Sequence, residues 1–115
     1  MSQIPPAGRG PDDILPLVRR LKRRLETAYG DRFAGLRLFG SYARGEAGPG
    51  SDVDLLVLLH GEVHALTEID RLVDLSYDLE MEAGEMLSLL ARSVTEFEAA
   101  DSSFLRVVRR EGIPA

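Results

Sequence analysis

Cysteine is absent from the 115 residues, which excludes disulfides, thiolate zinc sites and cysteine nucleophiles. Long hydrophobic runs are absent as well. The longest, Leu55–Leu59, falls far short of the ~20 apolar residues that cross a bilayer. Met1–Pro11 is rich in Pro and Gly and has no apolar stretch of the signal-peptide kind, so a cytoplasmic protein with no membrane partner is the expectation. An excess of positive charge is missing too. The net charge of −5 argues against a nucleic-acid partner, whose phosphates call for clustered Lys and Arg.

What is present is ordinary globular composition, 44% hydrophobic and 29% charged, on a length that suits one compact domain. The expected division is a flexible leader over 1–11 and one domain over 12–115. Charge is unevenly spread: Arg19, Arg20, Lys22, Arg23 and Arg24 form a basic block, and Glu62–Glu98 is largely acidic. The basic block reads first as a solvated helix face, with a surface for an acidic partner or an RNA as the sharper alternative.

Ile14, Leu17, Val18, Leu21, Leu25 and Ala28 recur at spacings of three and four, the signature of a helix with one apolar stripe. Pro11 and Pro16 are expected in its tolerant first turn, and Gly30 at its end. Gly35–Phe39 predicts a strand, Glu46–Ser51 a loop, and the nearly continuous apolar run Val53–Leu59 a strand buried on both faces. Leu66, Ile69, Leu72, Val73, Ser76 and Leu79 give a second amphipathic helix ending near Gly84. Met86–Ala91 predicts a third strand. Asp101 or Ser102 caps a last helix through Phe104, Leu105 and Val108 that stops at Gly112.

The chemistry concentrates in Leu38–Leu59. A strand ends in Gly40–Ser41, ten residues intervene, and a second strand opens with Asp52–Val53–Asp54. Residues i and i+2 of a strand share a face, so the two carboxylates stand together and repel. A divalent cation relieves that conflict, and all-oxygen ligands select Mg²⁺ or Mn²⁺. Mg²⁺ held by one or two carboxylates completes its shell with water and substrate phosphates, so the pair calls for a phosphate-bearing ligand too. Gly40 lets the backbone turn and approach that ligand, free N–H groups after it attract anions, the Ser41 hydroxyl adds a donor, and Arg44 is placed to pair with phosphate oxygens. Four residue types fixed at these spacings coincide by chance in roughly one chain per thousand of this length.

The segment GSYARGEAGPGSDVDLLV resembles the signature of the DNA polymerase β-like nucleotidyltransferase superfamily, and more narrowly that of the minimal nucleotidyltransferase proteins of bacteria and archaea. Gly40, Ser41, Asp52 and Asp54 match its Gly-Ser, spacer and Asp-x-Asp without a gap. The tail TEFEAADSSFLRVVRREG is more loosely similar. The resemblance implies an α+β fold of two layers, a small mixed β-sheet with helices packed mainly on one face. It implies transfer of a nucleoside monophosphate, AMP from ATP in the first instance, to an acceptor hydroxyl. Asp52 and Asp54 would be the catalytic metal ligands, and Gly40 and Ser41 would hold the nucleotide's phosphates, beside the Arg44 that the spacing already places there. It also implies a HEPN-domain partner, which some family members neutralise by adenylylating a tyrosine.

Active members of that superfamily add a third carboxylate from a later strand. The matching position here falls near Ser88, a poor metal ligand and a poor base, and Glu85 and Glu82 at the strand's entrance are the nearest substitutes. Two functions follow: a Mg²⁺-dependent transferase, or an antitoxin that neutralises its HEPN partner by binding with weak or no catalysis. His60 and His64, four apart, lack a third ligand for a metal. Tyr42, beside the glycine turn, suits base stacking, modification or packing. Exposed sheet edges in so small a domain are compatible with a homodimer.

Overall fold

The computed structural model describes residues 8–115; most of the expected leader lies outside them. Gly8–Pro11 belong to the folded unit, since Arg9 bridges Ala47 through N–H···O bonds of 2.8 and 3.1 Å. The first helix, α1 (Pro11–Tyr29), opens with Pro11 at its first position, and the Asp13 carboxylate accepts the Gly10 N–H at 2.7 Å. Ile14, Leu17, Val18, Leu21, Leu25 and Tyr29 are its buried stripe, as their spacing requires. Pro16 lies inside the helix, beyond the first turn where it was expected. There it withholds the bond that the Asp12 carbonyl would accept, and the buried residues that follow keep the helix going.

A 3₁₀ turn over Gly30–Arg32 leads into β1 (Phe33–Phe39), and a single helical turn, α2 (Gly40–Ala43), follows without a gap. After a loop come β2 (Val53–Leu59), α3 (Ala65–Ala83) and β3 (Leu87–Ser93). Two short helices, α4 (Val94–Ala99) and α5 (Ser103–Glu111), are capped by the Ser93 and Ser102 hydroxyls, which accept the Glu96 and Leu105 N–H groups. A terminal β4 (Ile113–Pro114) closes the order. The sheet runs β3-β2-β1-β4, antiparallel except for the parallel β2–β3 pair. This is the expected mixed sheet of an α+β nucleotidyltransferase fold.

The two faces of β2 separate two cores. Val53, Leu55, Val57 and Leu59 face α1 and α3, together with Leu36, Leu38, Leu72 and Leu79. Leu56 and Leu58 face the other way, onto Phe97, Leu105 and Val108 of α4 and α5. The long helices do share one face; the short pair covers the other. Between the long helices, Arg20 pairs with Glu82 at 2.9 Å and Arg24 with Asp78, so part of the basic block ties α1 to α3. The outer side of α3 carries an exposed row of Leu66, Ile69, Val73, Tyr77 and Met81. No described helix is long and apolar enough to cross a membrane.

Candidate functional site

Asp54 lies on the α4–α5 side of the sheet, because it alternates with Leu56 and Leu58. Its register partner on β1 is Phe39, so the end of β1 and the start of β2 lie side by side. Gly40 follows immediately with φ +76°, backbone that disfavours any side chain. Space forbids one as well: a Cβ at position 40 would overlap the Asp54 carboxylate oxygen Oδ2. The glycine and the aspartate of the motif are therefore in direct apposition.

The ten-residue spacer is pinned rather than slack. Glu46 N–H donates to the Ser41 carbonyl at 2.9 Å, and buried Ala47 is held by Arg9. The Ser51 hydroxyl accepts the Gly48 N–H at 2.9 Å, and Val53 N–H reaches the Met86 carbonyl at 2.8 Å. These bonds fix Asp52 relative to the Gly40 turn. Asp52 is exposed, whereas Ser41 and Asp54 are half-buried.

Burial pushes the Asp54 carboxyl above its ordinary range, the charge of Asp52 pushes it further, and Arg44 opposes both. The two carboxylates thus share a field, with a guanidinium close enough to temper it. Among the described residues no group of three or more acids or histidines could hold a metal. Two carboxylates with phosphate and water are nonetheless a normal Mg²⁺ shell, so Asp52 and Asp54 suit that ion when a phosphate ligand accompanies it.

Ser88 is the register partner of Asp54 on β3. Equivalent positions of parallel neighbours share a face, so the strand offers a hydroxyl where a third acid would stand. Neither proposed substitute takes its place. Glu85 accepts from Arg9 at 2.7 Å and from the Tyr42 hydroxyl at 3.1 Å, and Glu82 is paired with Arg20. Arginines have drawn both acids elsewhere. Tyr42 is buried, 1% exposed, with its hydroxyl accepting from Arg9 at 2.9 Å; it packs beneath the turn instead of facing a ligand. His64 lies 3.6 Å from Glu62, and both are exposed.

One participant escaped the sequence reading. Glu111, at the end of α5, accepts the Gly40 N–H at 3.2 Å and the Arg44 guanidinium at 3.2 and 3.4 Å. Arg44 also donates to Glu46 at 3.1 Å. No local pattern marks Glu111, since its partners lie 71 and 67 positions away.

Comparison with known proteins bears on the same segment. Residues 18–102 match the family described as nucleotidyltransferase domain. The chain is 35% identical over 100 residues to the bifunctional uridylyltransferase/uridylyl-removing enzyme of Cupriavidus metallidurans, an alignment covering 78% of this chain and 12% of that enzyme. The chain thus spans about an eighth of that relative's length. It is 31% identical over 96 residues to a Methanocaldococcus jannaschii protein named "Putative protein adenylyltransferase MJ0604", covering 83% of this chain and 90% of the relative. Among solved structures it resembles a protein described as a "putative minimal nucleotidyltransferase", at 29% identity and a TM-score of 0.57, covering 89% of this chain and 95% of that one. It also shares the fold of a chain in the toxin–antitoxin MntA–HpeT structure, at 17% identity and a TM-score of 0.52, covering 90% of this chain and 69% of that one. With the matched family spanning most of the chain and taking in Gly40, Ser41, Asp52 and Asp54, the protein belongs to the nucleotidyltransferase domain family.

Proposed function

We propose that the domain transfers AMP from ATP to a protein hydroxyl, a tyrosine of a HEPN-type partner in the first instance. The observation that carries this reading is the apposition of Gly40 with Asp54, beside Asp52 and Arg44. It gathers phosphate donors and cation ligands at the ends of two adjacent strands. The protein-adenylyltransferase name of a relative matched along 90% of its length supports AMP and a protein acceptor, and the toxin–antitoxin context of a fold neighbour is consistent with the partner. The exposed apolar row of α3, bordered by Asp70 and Asp74, offers area for a protein contact.

In the reaction, the Gly40 N–H, the Ser41 hydroxyl and Arg44 hold the β- and γ-phosphates, while Asp52 and Asp54 hold Mg²⁺. When bound, the metal neutralises charge on the attacking and leaving oxygens. The acceptor oxygen forms its bond to the α-phosphorus, the bond to the bridging oxygen breaks, and pyrophosphate leaves. The acceptor's proton passes to Asp54 or to water. Ser88 cannot take it at neutral pH.

That serine favours a second reading, in which the domain binds its partner as an antitoxin and turns over weakly or not at all. Intact-mass measurement after incubation with ATP, Mg²⁺ and the partner separates the two. One AMP of added mass on either chain, lost in Asp54→Asn, is the transferase outcome. A stable, neutralising complex without an adduct sinks transfer and leaves the binding function.

A further inference from the structure

We propose that Glu111 is a built-in competitor for the nucleotide's phosphate tail, which makes it a specificity-determining residue. The inference rests on the nucleotide reading above and adds to it how the site ranks ligands. The Glu111 carboxylate bridges the Gly40 N–H and the Arg44 guanidinium, the two donors that the nucleotide reading assigns to phosphate. A carboxylate matches a phosphate edge in charge sign, and its oxygens accept the same bonds. With 22% of its side chain exposed, Glu111 is largely enclosed at this position rather than free in solvent.

The surrounding chain holds it there. Leu105 and Val108 anchor α5 in the core it shares with Leu56 and Leu58, on the face that carries Asp54. Just beyond Glu111, Gly112 N–H donates to the Val108 carbonyl at 2.7 Å. Ile113 and Pro114 then pair with Leu38 and Arg37, and Ala115 N–H reaches the Leu36 carbonyl at 2.9 Å. Anchored on both sides, the backbone stays in place when a ligand arrives, and only the glutamate side chain swings out.

The obstacle bears on those ligands whose phosphates reach Gly40 and Arg44. A triphosphate carrying Mg²⁺ brings several charged oxygens to Gly40, Arg44 and the carboxylate-held metal. A monophosphate brings one group, which cannot reach the tail position while its nucleoside faces the reacting end. Glu111 therefore weakens binding of a triphosphate tail and leaves AMP untouched, which narrows the gap between ATP and AMP, and its return to Gly40 and Arg44 opposes the rebinding of pyrophosphate.

The test is calorimetric titration of the full chain with inorganic triphosphate, ATP and AMP, each with Mg²⁺, in wild type, Glu111→Gln and Glu111→Ala. Glu26→Gln, an exposed α1 position, controls for the loss of one negative charge. Both Glu111 variants should bind triphosphate and ATP about tenfold more tightly, with AMP affinity unchanged, so that ATP-over-AMP discrimination rises, and with Glu26→Gln like wild type. Affinity unchanged or weakened in Glu111→Gln overturns the proposal. Tighter triphosphate binding without ATP binding in any variant keeps the competitor and rejects the nucleotide reading. Equal ATP binding in wild type and Glu111→Gln does the reverse, and no binding of any ligand to any variant rejects both.

Discussion

The two faces of the sheet are built on different terms. Under α1 and α3, β2 presents Val53, Leu55, Val57 and Leu59 to long helices whose apolar stripes match them, and that core is almost wholly aliphatic. On the opposite face β2 presents Asp54 before Leu56 and Leu58, β3 presents Ser88 before Leu90, and short helices cover only the apolar part. The uncovered end is where a half-buried carboxylate, an exposed one and an arginine meet. One face stabilises the fold, and the other carries charge that the fold alone would not favour.

Substitutions should separate the faces. The largest effect expected is on turnover in Asp54→Asn, a fall of about a thousandfold, or ~4 kcal/mol, read by the AMP-adduct assay. The same variant should melt at the same temperature or higher. The folded-state carboxyl of Asp54 titrates above its ordinary range, so its ionised form opposes folding at neutral pH. That penalty is relieved as pH falls through the folded value, and a neutral amide removes it. A clear drop in melting temperature for Asp54→Asn would break the comparison.

On the opposite face, Leu55→Ala should cost about 2–5 kcal/mol of stability in urea titration, while any protein still folded binds ATP normally. Gly40→Ala should cost about 2 kcal/mol through its positive φ and its overlap with Asp54. Unlike Leu55→Ala, it should abolish nucleotide binding in the folded fraction. The smallest effect sharpens the stabilising face: Tyr29→Phe removes the 2.6 Å hydrogen bond from the buried Tyr29 hydroxyl to Glu68. It should cost about 1–2 kcal/mol with nucleotide affinity unchanged.

Much of the stabilising face was legible in the sequence, because its information is periodic, although Leu66, Ile69 and Val73, read into the α3 stripe with Leu72, Ser76 and Leu79, lie exposed on its outer side. Ile14 through Leu25 and the Val53–Leu59 run announce their partners by spacing alone, although Pro16 inside α1 shows packing overriding a local penalty. The chemical face was legible only where its residues are close in sequence. Gly40 and Asp54 were paired by motif, and the register of β1 with β2 brings them together. Ser88 was reached by resemblance and is the β3 partner of Asp54. Glu85 and Glu82 looked available because Arg9 fell in the assumed leader and Arg20 in a solvated face, yet these arginines hold them. α4 and β4, six and two residues long, are too short for periodicity to declare. The contact of Glu111 with Gly40 arises only after α5 docks.

The account's central claim is that Gly40, Arg44, Asp52 and Asp54 form one site for a metal-bound triphosphate. Amide NMR of the full chain with ATP and substoichiometric Mn²⁺, whose unpaired electrons broaden nearby signals, tests it most directly. Selective broadening of Gly40, Ser41, Asp54 and Ser88, abolished in Asp52→Asn and Asp54→Asn, is the predicted result. Broadening centred on His60 and His64, or unchanged by either aspartate substitution, would contradict it.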